Sequence, residues 1–210
     1  MDRSRSTLTT ADEGKAAWRA RLRARVAAMS PAERERESAA ICERVRGLAA
    51  FGDAAVVLLY RPLPTEVDVT QLWDVCRDAR KAIFAPRVDP SIGGLRFVDV
   101  GHDTVWRRCE NGVWEPSAGI ELTAEAASQA VIVVPGLGFS RLCDRLGRGG
   151  GFYDHALTNA PIGRCGYRVG VGFDAQIVEQ LPSDAGDVPM HVVVSASNVW
   201  SHPLPLDDLA

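Results

Sequence analysis

Residues 130–154 read AVIVVPGLGFSRLCDRLGRGGGFYD, and the fold turns on how this stretch is read. Ala130–Val134 is apolar throughout and is ended by Pro135. A short run of this kind, rich in β-branched residues, marks a buried strand. The composition then changes abruptly. Six of the sixteen residues from Gly136 to Gly151 are glycine, with Arg141, Arg145 and Arg148 interleaved. Gly147, Gly149, Gly150 and Gly151 remove side chains where a backbone must approach a ligand closely. Their N–H groups can form an anion-holding nest, and a helix opening near Phe152 adds its positive end. Arg145 and Arg148 offer bidentate donors to phosphate oxygens. The segment lacks the G-K-[ST] ending of a Walker loop. Nor does it open a Rossmann unit as G-x-G-x-x-G, since it stands late in the chain with arginine between its glycines.

Working outward, short apolar runs at Val56–Tyr60, Ala82–Ala85 (stopped by Pro86), Leu95–Val100, Arg168–Phe173 and His191–Ser195 predict further strands, Leu95–Val100 at an edge. Residues 13–29 predict a helix, because Trp18, Leu22, Val26 and Met29 form one stripe at helical spacing. Lys15 falls within that stripe, and Arg19 lies one turn further along at its edge. Ser30-Pro31-Ala32-Glu33 is a capping box with proline at the first helical position, opening a second helix to about Ala50. Thr70–Arg80 predicts a third. Strands alternating with helices give an α/β class: a mostly parallel open sheet with helices on both faces, preceded by an N-terminal helical pair. Ligands bind such sheets at the carboxyl ends of the strands, so the loops after Tyr60, Val134 and Phe173 are the ones to examine. The expected organisation is a disordered arm over 1–12, one α/β domain over 13–200, and a tail over 201–210.

The chain has 210 residues, 46% hydrophobic and 24% charged. A chain of this length buries roughly 70% of its unfolded surface and needs no disulfide or metal to hold its core. No apolar run approaches the roughly 18 residues of a membrane span, and nothing in the polar first residues reads as a secretory signal. Five scattered cysteines without a C-x-x-C pair argue against a disulfide framework and a zinc site, and for a cytoplasmic location. The net charge of −3 argues against a nucleic-acid binder. Its distribution is uneven: residues 1–30 carry seven basic groups against three acidic, residues 141–168 five against two, and beyond Arg168 six carboxylates stand with no Lys or Arg. Two basic patches and an acidic last third can hold a polyanion and a divalent cation together. Only Lys15 and Lys81 of the 24 basic residues are lysine, and the two residue types are not interchangeable at a phosphate.

The GLGF…RLGRGGGFYD segment resembles the signature of the 5-formyltetrahydrofolate cyclo-ligase (methenyltetrahydrofolate synthetase) family. The resemblance extends over most of the chain. It takes in Lys15-Ala-Ala-Trp-Arg19, Glu66-Val67-Asp68, Lys81–Val88, Val134-Pro135-Gly136, and Gln176-Ile177 through Leu181-Pro182 to Asp187-Val188-Pro189-Met190. It implies ATP- and Mg²⁺-dependent cyclisation of 5-formyltetrahydrofolate to 5,10-methenyltetrahydrofolate; the chain is expected to be a monomer without a membrane partner. It implies ATP phosphates at Lys15, Arg19, Arg145, Leu146, Gly147, Arg148, Gly149, Gly150, Gly151, Phe152 and Tyr153. Folate contacts are implied at Glu66 and along Arg148–Phe152, and Mg²⁺ ligands at Asp154 and Asp187. Arg148, Lys15 and Arg145 would then carry the catalysis. Trp106 and Trp114 are either core, lid or a stacking surface for the pteridine. Phosphoryl transfer asks mainly for positioning and charge neutralisation, so no cysteine is needed as a nucleophile.

The sequence departs from the family pattern at Ser140, Cys143, Gly186 and His191, where Asp, Gly, a polar residue and Asp are usual. Those departures motivate a competing reading, a non-catalytic relative that binds reduced folate or nucleotide. A sugar-phosphate isomerase or acyl-carrier transferase on a similar sheet is a third reading, by fold analogy alone.

Overall fold

The computed structural model describes residues 14–109 and 112–203. The expected arm over 1–12 and the tail beyond 203 lie outside them. In chain order the helices are α1 (Lys15–Ala28), α2 (Pro31–Arg46), α3 (Ala49–Asp53), α4 (Thr70–Asp78), α5 (Ala124–Ser128) and α6 (Phe152–Thr158). The strands are β1 (Val56–Leu58), β2 (Ala82–Asp89), β3 (Gly94–Asp99), β4 (Trp106–Arg108), β5 (Trp114–Pro116), β6 (Ala130–Pro135), β7 (Gly138–Ser140) and β8 (Arg145–Leu146). Beyond these come β9 (Tyr167–Val171), β10 (Ile177–Val178), β11 (Val192–Val194) and β12 (Val199–Ser201).

A seven-stranded sheet in the order β12-β11-β9-β6-β1-β2-β3 forms the middle layer. Its five inner strands pair parallel, and β3 and β12 add antiparallel edges. Strand periodicity assigns the two faces. Val57, Val131, Val133, Val169, Val171, Val192 and Val194 turn to the side covered by Ile41 and Val45 of α2, Phe51 of α3 and Leu72 of α4. Leu58, Ile132, Val134 and Val193 turn to the other side, under Ala127 of α5 and Ala156 and Leu157 of α6. Both faces are therefore covered, as the unbroken apolar reading of residues 130–134 requires.

Three expectations need correction. The second helix does not reach Ala50: it stops at Arg46, where the Gly47 N–H caps the carbonyls of Glu43 and Arg44, and α3 starts afresh after an extended Leu48. Pro86 does not stop β2, which continues to Asp89. Beyond Phe84 the strand has β3 on one side only, β1 having ended at Leu58, and the Pro86 nitrogen points to that open side. A proline is tolerated there because no ladder bond is lost. Finally, β12 runs to Ser201, one residue past the boundary drawn at 200.

The stripe on α1 is divided between two partners. Val26 enters the main core, whereas Trp18 and Leu22 pack with Leu146 of a separate small sheet, β10-β7-β8, and with Leu181 in the loop after it. Gly138 on β7 makes this possible, since a Cβ there would lie 2.4 Å from Leu22 Cδ1. The first two turns of α1 are thereby laid along the glycine-rich segment. The ring of Phe139 uses a similar allowance: a Cβ at Gly170 of β9 would meet its Cε1 at 2.6 Å and Met190 Cγ at 2.9 Å. Both neighbours are fully buried. Gly170→Ala is expected to destabilise the protein by about 1–3 kcal/mol through overpacking, read as a lower denaturant midpoint at unchanged slope.

Candidate active site

Three loops at the carboxyl ends of the parallel strands converge. Gln176 fastens two of them, its Nε2 donating to the Gly136 and Leu137 carbonyls at 2.9 and 3.1 Å. Between the loop after β1 and the glycine-rich segment lies a cavity of about 310 Å³, at the small end of ligand pockets. Its walls are Leu63, Pro86, Val88, Leu95, Val113 and Trp114, and its polar rim comprises Glu66, Glu115, Arg145, Arg148 and Asp154, with Gly147, Gly150 and Gly151.

Strand β8 sets the direction of the glycine-rich segment. Leu146 turns outward to α1, and Arg145 turns inward with its side chain only 3% exposed. The arginine Nη2 donates to Asp154 Oδ1 at 2.5 Å, its guanidinium lies 5.6 Å from the Tyr153 ring centre, and its buried Nε has no hydrogen-bond partner among the described residues. After Leu146 the chain turns through Gly149 at φ +108° and Gly151 at φ +68° before α6 starts. These conformations are reserved in practice for glycine. Arginines on α1 hold the segment by its carbonyls: Arg19 Nε donates to Gly147 O at 3.0 Å and Arg23 Nη2 to Arg148 O at 3.2 Å. The N–H groups of Arg148, Gly149 and Gly150 have no partner among the described residues.

Arg148 reaches across the cavity mouth. Its Nε donates to Glu66 Oε1 at 3.2 Å and its Nη2 to Thr65 Oγ1 at 3.1 Å. Glu66 is held in place by the Leu63 N–H, which donates to its Oε2 at 2.9 Å. Behind it, burial first and the Glu66 charge second push the phenols of Tyr60 and Tyr153 up, so both stay neutral hydroxyls. Lys15 donates to Asp187 Oδ2 at 2.5 Å and is paired with Asp184 at 2.7 Å. Burial alone would pull the ammonium down; its bonds to Asp184 and Asp187 outweigh that and raise it. Asp187 is the converse case: burial raises it, but the Lys15 bond and the Asp184 N–H leave it below the usual carboxylate range, with a further contribution from Arg145. The depressed Asp187 and raised Lys15 stabilise together at intermediate pH. The contribution is lost as pH falls through the folded value of Asp187, or rises through that of Lys15.

The residues implied by the resemblance thus gather in two groups. Glu66, Arg145, Gly147, Arg148, Gly150, Gly151, Phe152, Tyr153 and Asp154 line the cavity. Lys15, Arg19, Leu146, Gly149 and Asp187 lie outside its lining: Leu146 packs instead against Trp18 and Leu22 of α1, Arg19 approaches the segment from α1, and Lys15 is held by Asp184 and Asp187. The sequence reading did not single out Arg23, Thr65, Asp184 or Glu115. Only Arg23 carried a signal, one helical turn beyond Arg19. Trp106 is packed edge-on against Trp73 with the Arg61 guanidinium 4.2 Å over its ring centre, and so is structural. Trp114, 43% exposed, is at the cavity. Burial pushes the thiols of Cys76, Cys143 and Cys165 up to about 11, which leaves them inert as nucleophiles at neutral pH.

The departures at 140, 143 and 191 have local accounts. Ser140 Oγ accepts the N–H groups of Leu142 and Asp144 and donates to Asp144, filling the turn-capping role of an Asx residue. Cys143 stands at φ +70°, where glycine is the unstrained choice, and its buried Sγ lies 3.3 Å from Trp200 O. His191 stacks on Tyr167, and its Nδ1 accepts the Arg168 N–H.

A sheet of this topology, with a small cavity at its carboxyl edge rimmed by arginines, carboxylates and unpaired backbone N–H groups, has the layout of an α/β enzyme acting on a small anionic molecule. The chain belongs to the 5-formyltetrahydrofolate cyclo-ligase family, whose profile matches residues 11–196. It is 27% identical over 180 residues to the 5-formyltetrahydrofolate cyclo-ligase of Escherichia coli K12, covering 85% of this chain and 98% of that one. The mouse enzyme of the same name is 26% identical over 198 residues, covering 88% and 95%. Among solved structures, the 5,10-methenyltetrahydrofolate synthetase of Aquifex aeolicus superposes with a TM-score of 0.74 at 28% identity, covering 91% of this chain and 94% of the other.

Proposed function

We propose that this chain catalyses the ATP- and Mg²⁺-dependent cyclisation of 5-formyltetrahydrofolate to 5,10-methenyltetrahydrofolate. The observation that carries the reading is the Arg148–Glu66 contact. It joins the segment implied to hold phosphate and the residue implied to hold folate across the mouth of one cavity. The residues suit both implied ligands. A buried guanidinium whose Nε, with three backbone N–H groups, has no partner among the described residues is a donor set for phosphate oxygens. Asp154 pairs with Arg145, which also acts electrostatically on Asp187. Asp154 on the cavity rim and Asp187 beside Lys15 are carboxylates of the kind that would hold Mg²⁺ completed by phosphate and water.

ATP supplies a phosphoryl group that converts the formyl oxygen into a leaving group. N10 then attacks the formyl carbon, loses its proton, and inorganic phosphate departs with the former formyl oxygen. The chain itself orients and neutralises. Arg145 and Arg148 face the developing charge, Glu66 fixes Arg148 and the folate, Arg19 braces the segment, and Lys15 neutralises Asp187. Water is kept out by the apolar walls.

Incubating the protein with ATP, Mg²⁺ and 5-formyltetrahydrofolate should produce methenyl absorbance, and ATP consumption should depend on the folate. Nucleotide binding without folate-dependent turnover would instead favour the non-catalytic reading. Asp154→Asn and Asp187→Asn should each raise the Mg²⁺ concentration needed for half-maximal nucleotide binding about tenfold while the proteins stay folded. Unchanged metal dependence in both removes them from the metal site.

A further inference from the structure

The hairpin formed by β4 and β5 brings one more charged group to the cavity. Glu115 of β5 has a side chain only 2% exposed and belongs to the cavity lining. Its Oε2 has no hydrogen-bond partner among the described residues. Arg107 Nη2 lies 3.7 Å from that oxygen, beyond hydrogen-bond reach, on a side chain 58% exposed. The Cys109 thiol beside it is a weak donor. Pro86, Val88, Leu95 and Trp114 line the same cavity. A buried carboxylate oxygen with no hydrogen-bond partner among the described residues, met by charge only from Arg107 at 3.7 Å, is costly to a folded chain. Such a feature persists where a ligand supplies the missing donors.

We propose that Glu115 binds the donor edge of the substrate's 2-amino-4-oxo pteridine, accepting from N3–H and the exocyclic amine. The proposal rests on the folate reading given above and adds to it the element that orients the ring. N3–H and the 2-amino group lie side by side on the pyrimidine ring, spaced for the two oxygens of one carboxylate, as a guanidinium fork is. N5, with its formyl group, belongs to the other ring. Anchoring the pyrimidine edge at β5 therefore turns the formyl group away from the hairpin, toward the rim that carries Arg145 and Arg148. A flat heteroaromatic with two N–H donors also fits the apolar walls, which a hydrated cation would not.

The test is equilibrium binding of 5-formyltetrahydrofolate and of its 2-desamino-2-methyl analogue, to the parent protein and to Glu115→Gln. The parent should bind the natural compound about 100-fold more tightly than the analogue. Glu115→Gln should lose most of that preference by weakening the natural compound alone. ATP affinity should stay as in the parent, and the melting temperature should be no lower. In turnover, the Michaelis constant for the folate should rise with kcat within about threefold, the signature of a uniform binding contact. Natural-compound affinity within threefold of the parent in Glu115→Gln, or an undiminished preference over the analogue, overturns the assignment. Should the variant fail to fold, the parent alone decides, since equal affinity for both compounds excludes recognition of the donor edge and a clear preference supports it. Absence of 5-formyltetrahydrofolate binding by the parent would overturn the folate reading itself, whereas normal binding that ignores Glu115 overturns only this step.

Discussion

Arg148→Ala is expected to lower kcat for methenyl formation by about 10²–10³ while the melting temperature stays within a few degrees of the parent's. The two halves of that expectation come from different features of the same side chain. Arg148 is flanked by Gly147 and Gly149, so its guanidinium is the dominant charge on that part of the rim. A preorganised donor facing charge that develops during phosphoryl transfer is typically worth about 3–4 kcal/mol of activation free energy. Its contribution to folding is small, because the side chain is 45% exposed and its contact with Glu66 is 3.2 Å long, and exposed pairs contribute about 0–1 kcal/mol. Arg148→Lys should recover the rate only in part, since a point charge cannot hold Glu66, Thr65 and a phosphate oxygen as a planar fork does. Rates at saturating ATP and folate, beside a thermal melt of each variant, decide the matter. A fall of less than about threefold would mean that the segment holds phosphate through backbone amides alone.

What could be read from the sequence depended on how many residues each feature spans. The buried run at 130–134, the capping box at Ser30–Glu33 and the stripe Trp18-Leu22-Val26 each repeat a physical pattern over a turn or more, and all three recur in the fold. The small sheet β10-β7-β8 was invisible because its strands are two or three residues long, too short to show a period. Consequently the reason for Gly138 was invisible too. It serves the approach of Leu22, not of a ligand. Pro86 misled for a related reason: whether a proline ends a strand depends on which neighbour that strand has, and this is fixed by β1 stopping at Leu58. Within the site, the glycine-rich segment was legible as chemistry because charge and backbone freedom alternate in it. Glu115 was not, since nothing local distinguishes a carboxylate aimed into a cavity from one on an exposed hairpin. Its significance comes from burial, a property of the tertiary structure.

The charged groups of the site are arranged as pairs: Arg145 with Asp154, Arg148 with Glu66, and Lys15 with Asp187. In each pair one partner is implied to hold phosphate and the other folate or metal. Ligand binding then competes with these contacts. The two outer pairs can yield easily, Arg148 because it is half exposed and Lys15 because Asp184 shares it. The Arg145 pair is buried and keeps its contact, leaving the unpartnered Nε of the guanidinium for the ligand.

Arg145→Met is therefore expected to have the largest effect of any single substitution in the site, on stability and activity together. Removing the guanidinium leaves Asp154, 27% exposed, without its 2.5 Å partner. Breaking a buried pair from one side costs about 3–5 kcal/mol, mostly because the remaining charge is stranded. Activity should fall by at least about 10³, since the variant loses both the inward donor of the phosphate segment and the group that sets Asp154. The double variant Arg145→Met, Asp154→Asn separates the two effects. With both charges gone no group is stranded, so most of the lost stability should return, giving a favourable coupling of about 2–3 kcal/mol in a double-mutant cycle. Turnover should not return, because neither phosphate nor Mg²⁺ regains its partner. Urea midpoints and single-turnover rates for the parent, both single variants and the double provide the comparison. Recovery of activity along with stability would mean that Arg145 is a structural residue, and would leave Arg148 and the backbone N–H groups as the donors to phosphate.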